Sequence, residues 1–406
     1  MYDAIVVGAR CGGSPTAMLL ARHGLKVLLV DKATFPSDVI STHIVWPHGA
    51  EVLGRWGLLA KLADTGVPPI CRRMTFDVGP FALHGTIPDA NDGMGGFCPR
   101  RRVLDSLLVQ AAAESGVEVR EGFTVDDLLA HADVVEGIRG HGQGAQPVEE
   151  RARIVIGADG VHSFVARAVR ALEYDRQPTA ACGYYSYFSG IEQDDLELYV
   201  RDHHAFGGAP TNDGLHLVMV NWPANDFATV RADVDACVWR ALASAPDFAA
   251  RVRDGRRQET WYGTAGVPGY LRKPYGPGWA LVGDASYNRD PITAQGISDA
   301  FIDAEVLVEE AVVPWLSDRG AFAELFAAHE AARNQRVRSM YEFTTQLAAL
   351  EPPPPEMQAL FGALRGNQDA TNAFLSAISG AIPLSDFMSR ENLGRIMAAA
   401  KDVAIH

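Results

Sequence analysis

Residues 2–32 read YDAIVVGARCGGSPTAMLLARHGLKVLLVDK, and this stretch decides the fold. Residues 4–7 form a continuous apolar, largely β-branched run, which is typical of a buried parallel strand. Residues 14–23 have the apolar spacing of a helix, and Gly24 suits its end. Residues 26–30 contain a second apolar run. Strand, helix and strand in this order predict a β-α-β unit built on a parallel sheet.

The turn between the first strand and the helix carries the pattern of a dinucleotide-binding loop. Such a loop needs a tight turn, close approach of the backbone to a pyrophosphate and a helix N-terminus that faces it. Gly8 supplies the turn, and Gly12 and Gly13 stand where close approach and close packing are needed. Asp31 ends the second strand, where a carboxylate can accept hydrogen bonds from ribose hydroxyls. The loop therefore predicts a dinucleotide cofactor.

Two residues of this loop have more than one interpretation. Arg10 replaces the middle glycine of G-x-G-x-x-G. Its side chain can crowd the pyrophosphate, or its guanidinium can lie alongside the cofactor and add positive charge. Cys11 can be a thiol whose pKa its neighbours lower, or a small apolar residue that packs in the turn, and we favour packing.

The composition excludes several classes of function. The chain has a net charge of -14, so phosphate backbones and anionic lipids are poor partners and we expect no nucleic acid. We expect no membrane span and no signal peptide, because no apolar run of about 18 residues and no basic leader occurs. The five cysteines lack C-x-x-C spacing, which favours reduced thiols and a cytoplasmic location over disulfides or a metal site.

We predict an α/β (α+β two-domain) fold class. A Rossmann-like domain comprises residues 1–70, 98–175 and 265–330. It is interleaved with an antiparallel-sheet substrate domain of residues 71–97 and 176–264, in which residues 184–188, 196–200, 215–220 and 259–262 form strands and one helix lies near residues 228–253. Residues 331–406 are a helical C-terminal segment, broken by the prolines at 352–355, with amphipathic spacing at residues 357–364.

Two later segments extend the dinucleotide pattern. Residues 157–163 read GADGVHS, and residues 283–297 contain GDA, DP and QGI. With the N-terminal glycine loop, these D-G and G-D motifs resemble those of the group A flavoprotein monooxygenases, the para-hydroxybenzoate-hydroxylase-like family. The resemblance spans roughly residues 2–320, and the three motifs in this order are far more specific than any one of them. The stretches VVGARC, STHIVWP and DPITAQGISDAF also resemble a broader branch of FAD-dependent oxidoreductases.

The resemblance implies FAD as the cofactor and assigns its contacts. Asp284 is expected to hydrogen-bond the ribityl chain, and Gly296 and Ile297 to present backbone amides to the pyrimidine edge of the flavin, where the reduced ring carries negative charge. Asp159 is linked in the family to both FAD and NAD(P)H. The expected FAD contacts are Gly8, Arg10, Gly12, Gly13, Asp31, Lys32, Arg101, Val125 beside the adenine, Asp159, Asp284, Pro291 beside the flavin ring, Gln295, Gly296 and Ile297.

His43 is the first of three candidate catalytic residues. It follows the second strand, in a segment that passes near the flavin in this fold, and His48 lies in the same segment. Either imidazole can orient substrate or cofactor. Packing on a loop or capping a helix is the alternative for both.

Tyr187 and Asp290 complete the candidate catalytic set. Tyr185 and Tyr187 alternate along a predicted strand and so share one face, which can line a pocket or belong to the core. Asp290 lies in the loop after the G-D motif. It can act at the site, pair with Arg289 or bind solvent.

The resemblance implies an FAD-dependent monooxygenase that uses NAD(P)H and oxygen. Its reaction would hydroxylate or epoxidise a small aromatic or polyketide-like substrate through a flavin C4a-hydroperoxide, in a pocket that excludes water. The alternative is a reductase or saturase of the geranylgeranyl-reductase-like type, which needs no oxygen. Halogenation is disfavoured because the W-x-W-x-I-P motif is absent, and the intact Asp284, Gln295 and Gly296 disfavour a non-enzymatic escort protein.

The electron donor is left open by the sequence. No second G-x-G-x-x-G pattern is visible, and the fold has no separate nicotinamide domain. NAD(P)H therefore binds transiently, or a partner flavin reductase delivers the electrons.

Overall fold

The structure is a computed structural model that describes residues 1–87 and 95–403. Residues 88–94 of the predicted substrate domain and residues 404–406 of the predicted C-terminal segment lie outside the described residues. The strands are β1 (Tyr2–Val7), β2 (Val27–Val30), β3 (Pro69–Ile70), β4 (Arg73–Asp77), β5 (Ala82–Thr86), β6 (Gly96–Phe97), β7 (Glu118–Arg120), β8 (Phe123–His131), β9 (Val134–Gly142), β10 (Val148–Gly157), β11 (Glu173–Gln177), β12 (Ala181–Ser189), β13 (Leu196–Arg201), β14 (His204–Pro210), β15 (Leu215–Pro223), β16 (Arg256–Arg257), β17 (Tyr262–Thr264), β18 (Gly269–Arg272), β19 (Tyr275–Gly276), β20 (Trp279–Leu281) and β21 (Tyr287–Asn288).

Helices occupy much of the remaining chain. They are α1 (Gly13–Arg22), α2 (Pro47–Arg55), α3 (Leu59–Ala63), α4 (Arg101–Glu114), α5 (Phe164–Ala168), α6 (Phe227–Ala232), α7 (Val234–Leu242), α8 (Pro246–Asp254), α9 (Gly296–Val306), α10 (Val313–Leu316), α11 (Phe322–Ala348), α12 (Pro355–Leu364), α13 (Gln368–Ile378), α14 (Leu384–Phe387) and α15 (Arg390–Val403). A π-helical segment, Leu307–Val312, joins α9 to α10.

The predicted β-α-β unit is confirmed at the centre of a largely parallel sheet. Its strand order is β19-β20-β10-β1-β2-β7, with the β8–β9 hairpin attached to β10. Strand β1 pairs in parallel with both β2 and β10. Alternate residues of β1 enter two cores, one shared with α1, α4 and α9 and the other with α5, β8 and β9. Both faces are therefore covered, which is why residues 4–7 of β1 and all of β2 are apolar.

A second sheet forms the other large unit. Its order is β16-β12-β15-β14-β13-β4-β5, antiparallel except where β13 pairs with β4, and β17 also pairs with β12. One face, which includes Tyr184 and Phe188, packs on α6, α7 and α8. The opposite face, which includes Tyr185 and Tyr187, packs on the C-terminal helices from α12 to α15. The predicted alternation of the two tyrosines on one face is confirmed.

Two local predictions within this unit are wrong. The single helix near residues 228–253 is three helices, because Asp233 leaves helical geometry and its side chain accepts a hydrogen bond from Ala236 N at the start of α7, and Pro246 then opens α8. The strand at residues 259–262 begins only at Tyr262, since the Glu259 carbonyl accepts from the Ser186 hydroxyl instead of joining a ladder.

The chain thus forms a mixed α/β two-domain fold with a helical C-terminus, as predicted. Two smaller sheets, β11-β18-β21 and β3-β6, connect the large units. Helix α11 runs across the junction and α12 begins at the last proline of the four-proline run. Among the described residues, no helix combines the length and apolar character needed to cross a membrane.

Candidate functional site

The N-terminal glycine loop packs directly against the D-G segment. Gly8 has φ +103°, and a Cβ at this position would collide with the carbonyl of Ala158. A Cβ on Gly13 would collide with the carbonyl of Gly8. These two glycines are therefore required for the backbone to turn and for the first two motifs to touch.

Gly12 faces the third motif. A Cβ on Gly12 would lie 3.6 Å from Cγ1 of Val282 and 3.8 Å from Cα of Gly283, both ordinary contact distances. Gly12 is thus not required by packing, and it is partly exposed. The three motifs, far apart in the sequence, meet around this one loop.

Two helix N-termini open at this meeting point. Neither α1, which follows Gly12, nor α9, which begins at Gly296, has a side chain that caps its first turn. In α1 the amide of Ser14 already donates to the Arg10 carbonyl at 3.0 Å and Pro15 has no N–H, so the amide of Gly13 is the one left to bind an anionic oxygen. The amides that open α9 face no capping side chain and can bind a carbonyl oxygen. This is the arrangement expected for a pyrophosphate at α1 and a flavin pyrimidine edge at α9.

Asp284 and Gly296 are exposed side by side. A Cβ on Gly296 would lie 3.9 Å from Oδ1 of Asp284, and both residues reach the surface. Protein atoms nevertheless crowd the Asp284 carboxyl. The resulting desolvation raises its pKa to about 6, against the lowering influence of the Arg101 charge. Such a carboxyl gains by hydrogen bonding to hydroxyl groups such as those of a ribityl chain.

Asp31 anchors the other end of the loop. Its carboxylate accepts from the amides of Ala9 at 2.6 Å and Ala33 at 2.7 Å, while its carbonyl accepts from Phe123 N at 2.8 Å. Val125 follows on β8 and is partly buried, and Lys32 is exposed. The residues predicted to contact adenosine therefore lie at one edge of the sheet.

Asp159 organises the D-G turn. One of its oxygens accepts from the Ser163 hydroxyl at 2.5 Å, and the other accepts from the amides of Phe164 at 2.6 Å and Val165 at 3.1 Å. Its acceptors are thus directed at the start of α5. This gives Asp159 an indirect role in holding the segment against which Gly8 packs.

Arg10 points away from the glycine turn and into a charged cluster. Its guanidinium pairs with the fully buried Asp105 and donates to the Ser37 hydroxyl at 3.0 Å. Arg101 donates to Asp105 at 2.9 and 3.1 Å, so one carboxylate lies between two guanidiniums. The Cys11 thiol lies 3.5 Å from the same carboxylate, and burial raises its pKa to about 12. Packing is therefore the better interpretation of Cys11.

The C-terminal helices reach the start of α9. Gln295 donates from Nε2 to the carbonyl of Ile378 at 2.9 Å, and His48 Nδ1 donates to the carbonyl of Ser379 at 3.1 Å. Burial lowers the pKa of His48, so it is a neutral donor. Pro291 is half-buried in the turn before α9, and Ile297 is a buried residue of α9 itself. The end of α13 is consequently held by two elements: by Gln295 at the start of α9, the helix that would meet the flavin, and by His48 on α2.

His43 and Tyr187 form a buried pair. The Tyr187 hydroxyl lies 2.8 Å from Nε2 of His43, and the Tyr185 ring stands edge-on to the imidazole at 5.0 Å. His43 is fully buried, and this lowers its pKa to about 3. Burial raises the pKa of Tyr187 as well, so both groups are neutral at physiological pH. Within the described residues, Nδ1 of His43 has no hydrogen-bond partner.

Arg100 is a member of this cluster that the sequence did not identify. Its guanidinium lies 4.3 Å from the centre of the Tyr187 ring and pairs with Asp38 at 3.0 Å and Glu259 at 2.8 Å. The only sequence signal was the arginine run at residues 100–102, which spans the start of α4. Arg100 ties the substrate sheet to the segment that contains His43.

Asp290 makes a different set of contacts. Its carboxylate accepts from the amide of Ala181 at 3.1 Å and from the amide of Ile292 at 3.0 Å. Burial raises its pKa to about 6. The interpretation that Asp290 pairs with Arg289 is wrong, because Arg289 pairs with Asp299 on α9. Asp290 thereby links the start of β12 to the turn before α9.

Comparison with known proteins agrees with this geometry. A sequence model of the family described as FAD binding domain matches residues 1–344. A digeranylgeranylglycerophospholipid reductase from Methanosarcina mazei is 29% identical over 338 residues, which cover 78% of this chain and 76% of that protein.

Solved structures share the fold over the full length. A flavoprotein/dehydrogenase from Cytophaga hutchinsonii has a TM-score of 0.83 at 19% identity over 99% of both chains. A flavin-dependent brominase has a TM-score of 0.81 at 19% identity, over 100% of this chain and 99% of that one. Identities this low establish the fold and leave the reaction open.

Proposed function

The chain belongs to the FAD-binding-domain family and is an FAD-dependent oxidoreductase, and we propose that it hydroxylates or epoxidises a small organic substrate with oxygen and NAD(P)H. Bound FAD supplies the redox chemistry. The protein's part is to hold the cofactor, orient the substrate and exclude water.

The cofactor fits the residues around the glycine loop. The Gly13 amide and the N-terminal end of the α1 dipole suit the pyrophosphate, and Asp31 suits the adenosine ribose. Asp284 suits the ribityl hydroxyls, and the amides that open α9 at Gly296 suit the pyrimidine edge. Arg10 contributes by fixing the loop through Asp105, since its guanidinium is directed there.

The observation that carries the proposal is the buried, neutral His43–Tyr187 pair. If Tyr187 donates to Nε2, the imidazole carries a proton on Nδ1 that has no acceptor among the described residues. If Nε2 donates instead, the Tyr187 hydroxyl proton is free and Nδ1 is an open acceptor. In both arrangements the pair offers one uncharged hydrogen-bond donor. It can therefore orient a phenolic or carbonyl oxygen, and in the second arrangement Nδ1 can accept a hydrogen bond from a substrate hydroxyl.

The surroundings of the pair favour chemistry that needs a dry pocket. The sheet face with Tyr185 and Tyr187 is covered by apolar residues of the C-terminal helices, including Leu360 and Phe374. Asp290 acts in this proposal as a positioning residue, since its oxygens hold β12 and the turn before α9. The apolar side chains around this sheet face suit a small aromatic or polyketide-like substrate.

A reductase or saturase of the geranylgeranyl-reductase-like type is the second candidate. It is favoured by the 29% identity to the Methanosarcina mazei reductase over most of both chains. The apolar side chains around the sheet face with Tyr185 and Tyr187 also suit a polyprenyl chain. Such a reaction adds two hydrogens to a carbon double bond and consumes no oxygen.

For the electron supply and location, we propose NAD(P)H, bound transiently or acting through a partner flavin reductase, and the cytoplasm. The five cysteines are all buried free thiols, which suits a reducing compartment.

The two reactions are separated by their need for oxygen. FAD-loaded protein is incubated aerobically with NADPH or NADH and a panel of small phenols, and anaerobically with dithionite and geranylgeranyl diphosphate. We expect mass spectrometry to find one added oxygen atom in a product of the aerobic reaction. Two added hydrogens in the anaerobic product, with no oxygenated phenol, would contradict the monooxygenase proposal in favour of the reductase.

A further inference from the structure

Asp303 lies one layer behind the G-D motif and touches it. This residue of α9 is fully buried, and its Oδ2 accepts from the amide of Gly283 at 3.0 Å. Gly283 has φ +60°, directly precedes Asp284 and packs against Gly12. One hydrogen bond therefore fixes the Val282–Gly283 peptide, which borders the glycine loop and lies one residue before Asp284.

The second oxygen of Asp303 faces helix α11. His329 Nε2 lies 3.7 Å from Oδ1, and a terminal guanidinium nitrogen of Arg336 lies 3.5 Å away. Burial lowers the pKa of His329, so the imidazole is neutral and Arg336 supplies the opposing charge. Within the described residues, Oδ1, both His329 nitrogens and two Arg336 nitrogens form no direct hydrogen bond. The spacing suits ionic attraction and bridging by water.

A buried carboxylate at this place is informative because burial of a charge is unfavourable unless it is paired. An apolar residue would pack in α9 without that penalty, but it could not accept from the Gly283 amide. The carboxylate instead joins the G-D turn to α11, because one of its oxygens accepts from Gly283 and the other lies near Arg336.

We propose that Asp303, held by Arg336 and His329, is a positioning residue for the cofactor, which fixes the G-D turn so that Asp284 meets FAD in one geometry. This role rests on the FAD binding in the proposed function and is independent of which reaction follows. The interaction couples the affinity for FAD to the packing of α11.

The test compares FAD affinity in matched variants. Apoprotein is titrated with FAD and the quenching of flavin fluorescence gives the dissociation constant. For Asp303→Asn we expect binding about tenfold weaker, because the acceptor of the Gly283 amide loses its charge and its attraction to Arg336. The control is Glu305→Gln on the same helix, which loses an ion pair with Arg55 far from the G-D turn. Its dissociation constant should stay within about twofold of wild type.

Two further variants keep the result interpretable if Asp303→Asn folds poorly. Arg336→Met should weaken FAD binding. Arg336→Lys should keep most of the wild-type affinity, because it keeps the positive charge near Oδ1 of Asp303. Thermal unfolding of each apoprotein separates positioning from stability. The proposal would be overturned if Asp303→Asn and Arg336→Met bound FAD as tightly as the control does. It would also be overturned if their loss of affinity matched the loss of folded protein. Wild-type protein that binds FAD but oxygenates nothing counts only against the proposed reaction. Wild-type protein that binds no FAD overturns the proposed function and, with it, this role.

Discussion

The Tyr187 hydroxyl lies 2.8 Å from Nε2 of His43 and joins the substrate sheet to the segment that follows β2. His43 has φ +65°, a backbone conformation that few non-glycine residues adopt. A fully buried histidine in this conformation is held by its surroundings, and the Tyr187 hydrogen bond is one of the contacts that hold it.

Replacement of Tyr187 by phenylalanine tests this pair. Tyr187→Phe leaves a buried imidazole nitrogen without a partner, so we expect the free energy of unfolding to fall by about 1–3 kcal/mol. Chemical denaturation measures this. Tyr185→Phe is the control, because the Tyr185 hydroxyl makes no hydrogen bond to His43. This variant should lower the free energy of unfolding by less than Tyr187→Phe does. Equal losses in both variants would argue that the His43–Tyr187 hydrogen bond contributes little.

The pH dependence of stability follows from the lowered pKa of His43. The folded protein resists protonation down to about pH 3, whereas the unfolded chain binds the proton near pH 6.5. The contribution of His43 to the free energy of unfolding is therefore fully present above pH 6.5. It is lost as the pH falls, by about 2 kcal/mol at pH 5. His43→Gln should show a flatter stability profile between pH 6.5 and pH 5. An unchanged slope would show that His43 is not the group responsible.

Two adjacent glycines are expected to respond differently to alanine. Gly13→Ala should destabilise the fold, because its Cβ collides with the Gly8 carbonyl, whereas Gly12→Ala has 3.6 Å of clearance and should fold normally. We expect Gly12→Ala to weaken FAD binding, since its Cβ would oppose close approach of the pyrophosphate. Thermal unfolding and FAD titration measure the two effects. Normal FAD affinity in Gly12→Ala would place the pyrophosphate elsewhere.

Asp284→Asn should strengthen the apoprotein and weaken cofactor binding. The carboxyl has its pKa raised from 3.8 to about 6, so the folded apoprotein holds the proton more tightly than the unfolded chain and loses stability as the pH rises through this window. Asparagine cannot ionise and removes that loss. The melting temperature of apo Asp284→Asn should exceed that of wild type at pH 7 but not at pH 4. FAD affinity should fall about tenfold or more, since hydrogen bonds to a charged acceptor are lost.

Restoring the glycine at position 10 should not improve FAD binding. Arg10→Gly removes one of two guanidiniums from the fully buried Asp105, and we expect the free energy of unfolding to fall by about 1–2 kcal/mol. The side chain does not crowd the loop, so affinity for FAD should stay level or decline. A gain in affinity would support crowding of the pyrophosphate by Arg10.

The fold was largely predictable because its signals are local. The continuous apolar runs of β1 and β2, and the glycines between them, specify a buried parallel pair whatever the rest of the chain does. The strand at residues 259–262 was misplaced because Glu259 pairs with Arg100 and accepts a hydrogen bond from Ser186. Both partners come from distant segments of the chain. The prediction of a single helix near residues 228–253 overlooked that Asp233 caps the start of α7.

The candidate site was predictable where backbone geometry decides it and not where distant side chains meet. Gly8, Gly13 and Asp284 belong to motifs with fixed spacing. Arg100 and Asp303 gain their roles from partners on other elements, and an isolated arginine or aspartate in a helix carries no signal for that. The direction of Arg10 likewise depended on Asp105, a buried acceptor on α4.

We propose above all that this chain holds FAD in a site where reduced flavin reacts with oxygen under the protein's control. The most direct test reduces the FAD-loaded protein anaerobically with NADPH or NADH, with dithionite as control, and then mixes it with oxygen while flavin absorbance, oxygen and hydrogen peroxide are followed together. We predict loss of the oxidised-flavin bands with at least one nicotinamide, and then oxygen uptake that precedes peroxide release. Oxygen uptake and peroxide release in step, with no delay, would contradict the monooxygenase account, and protein that retains no FAD would contradict the central claim itself.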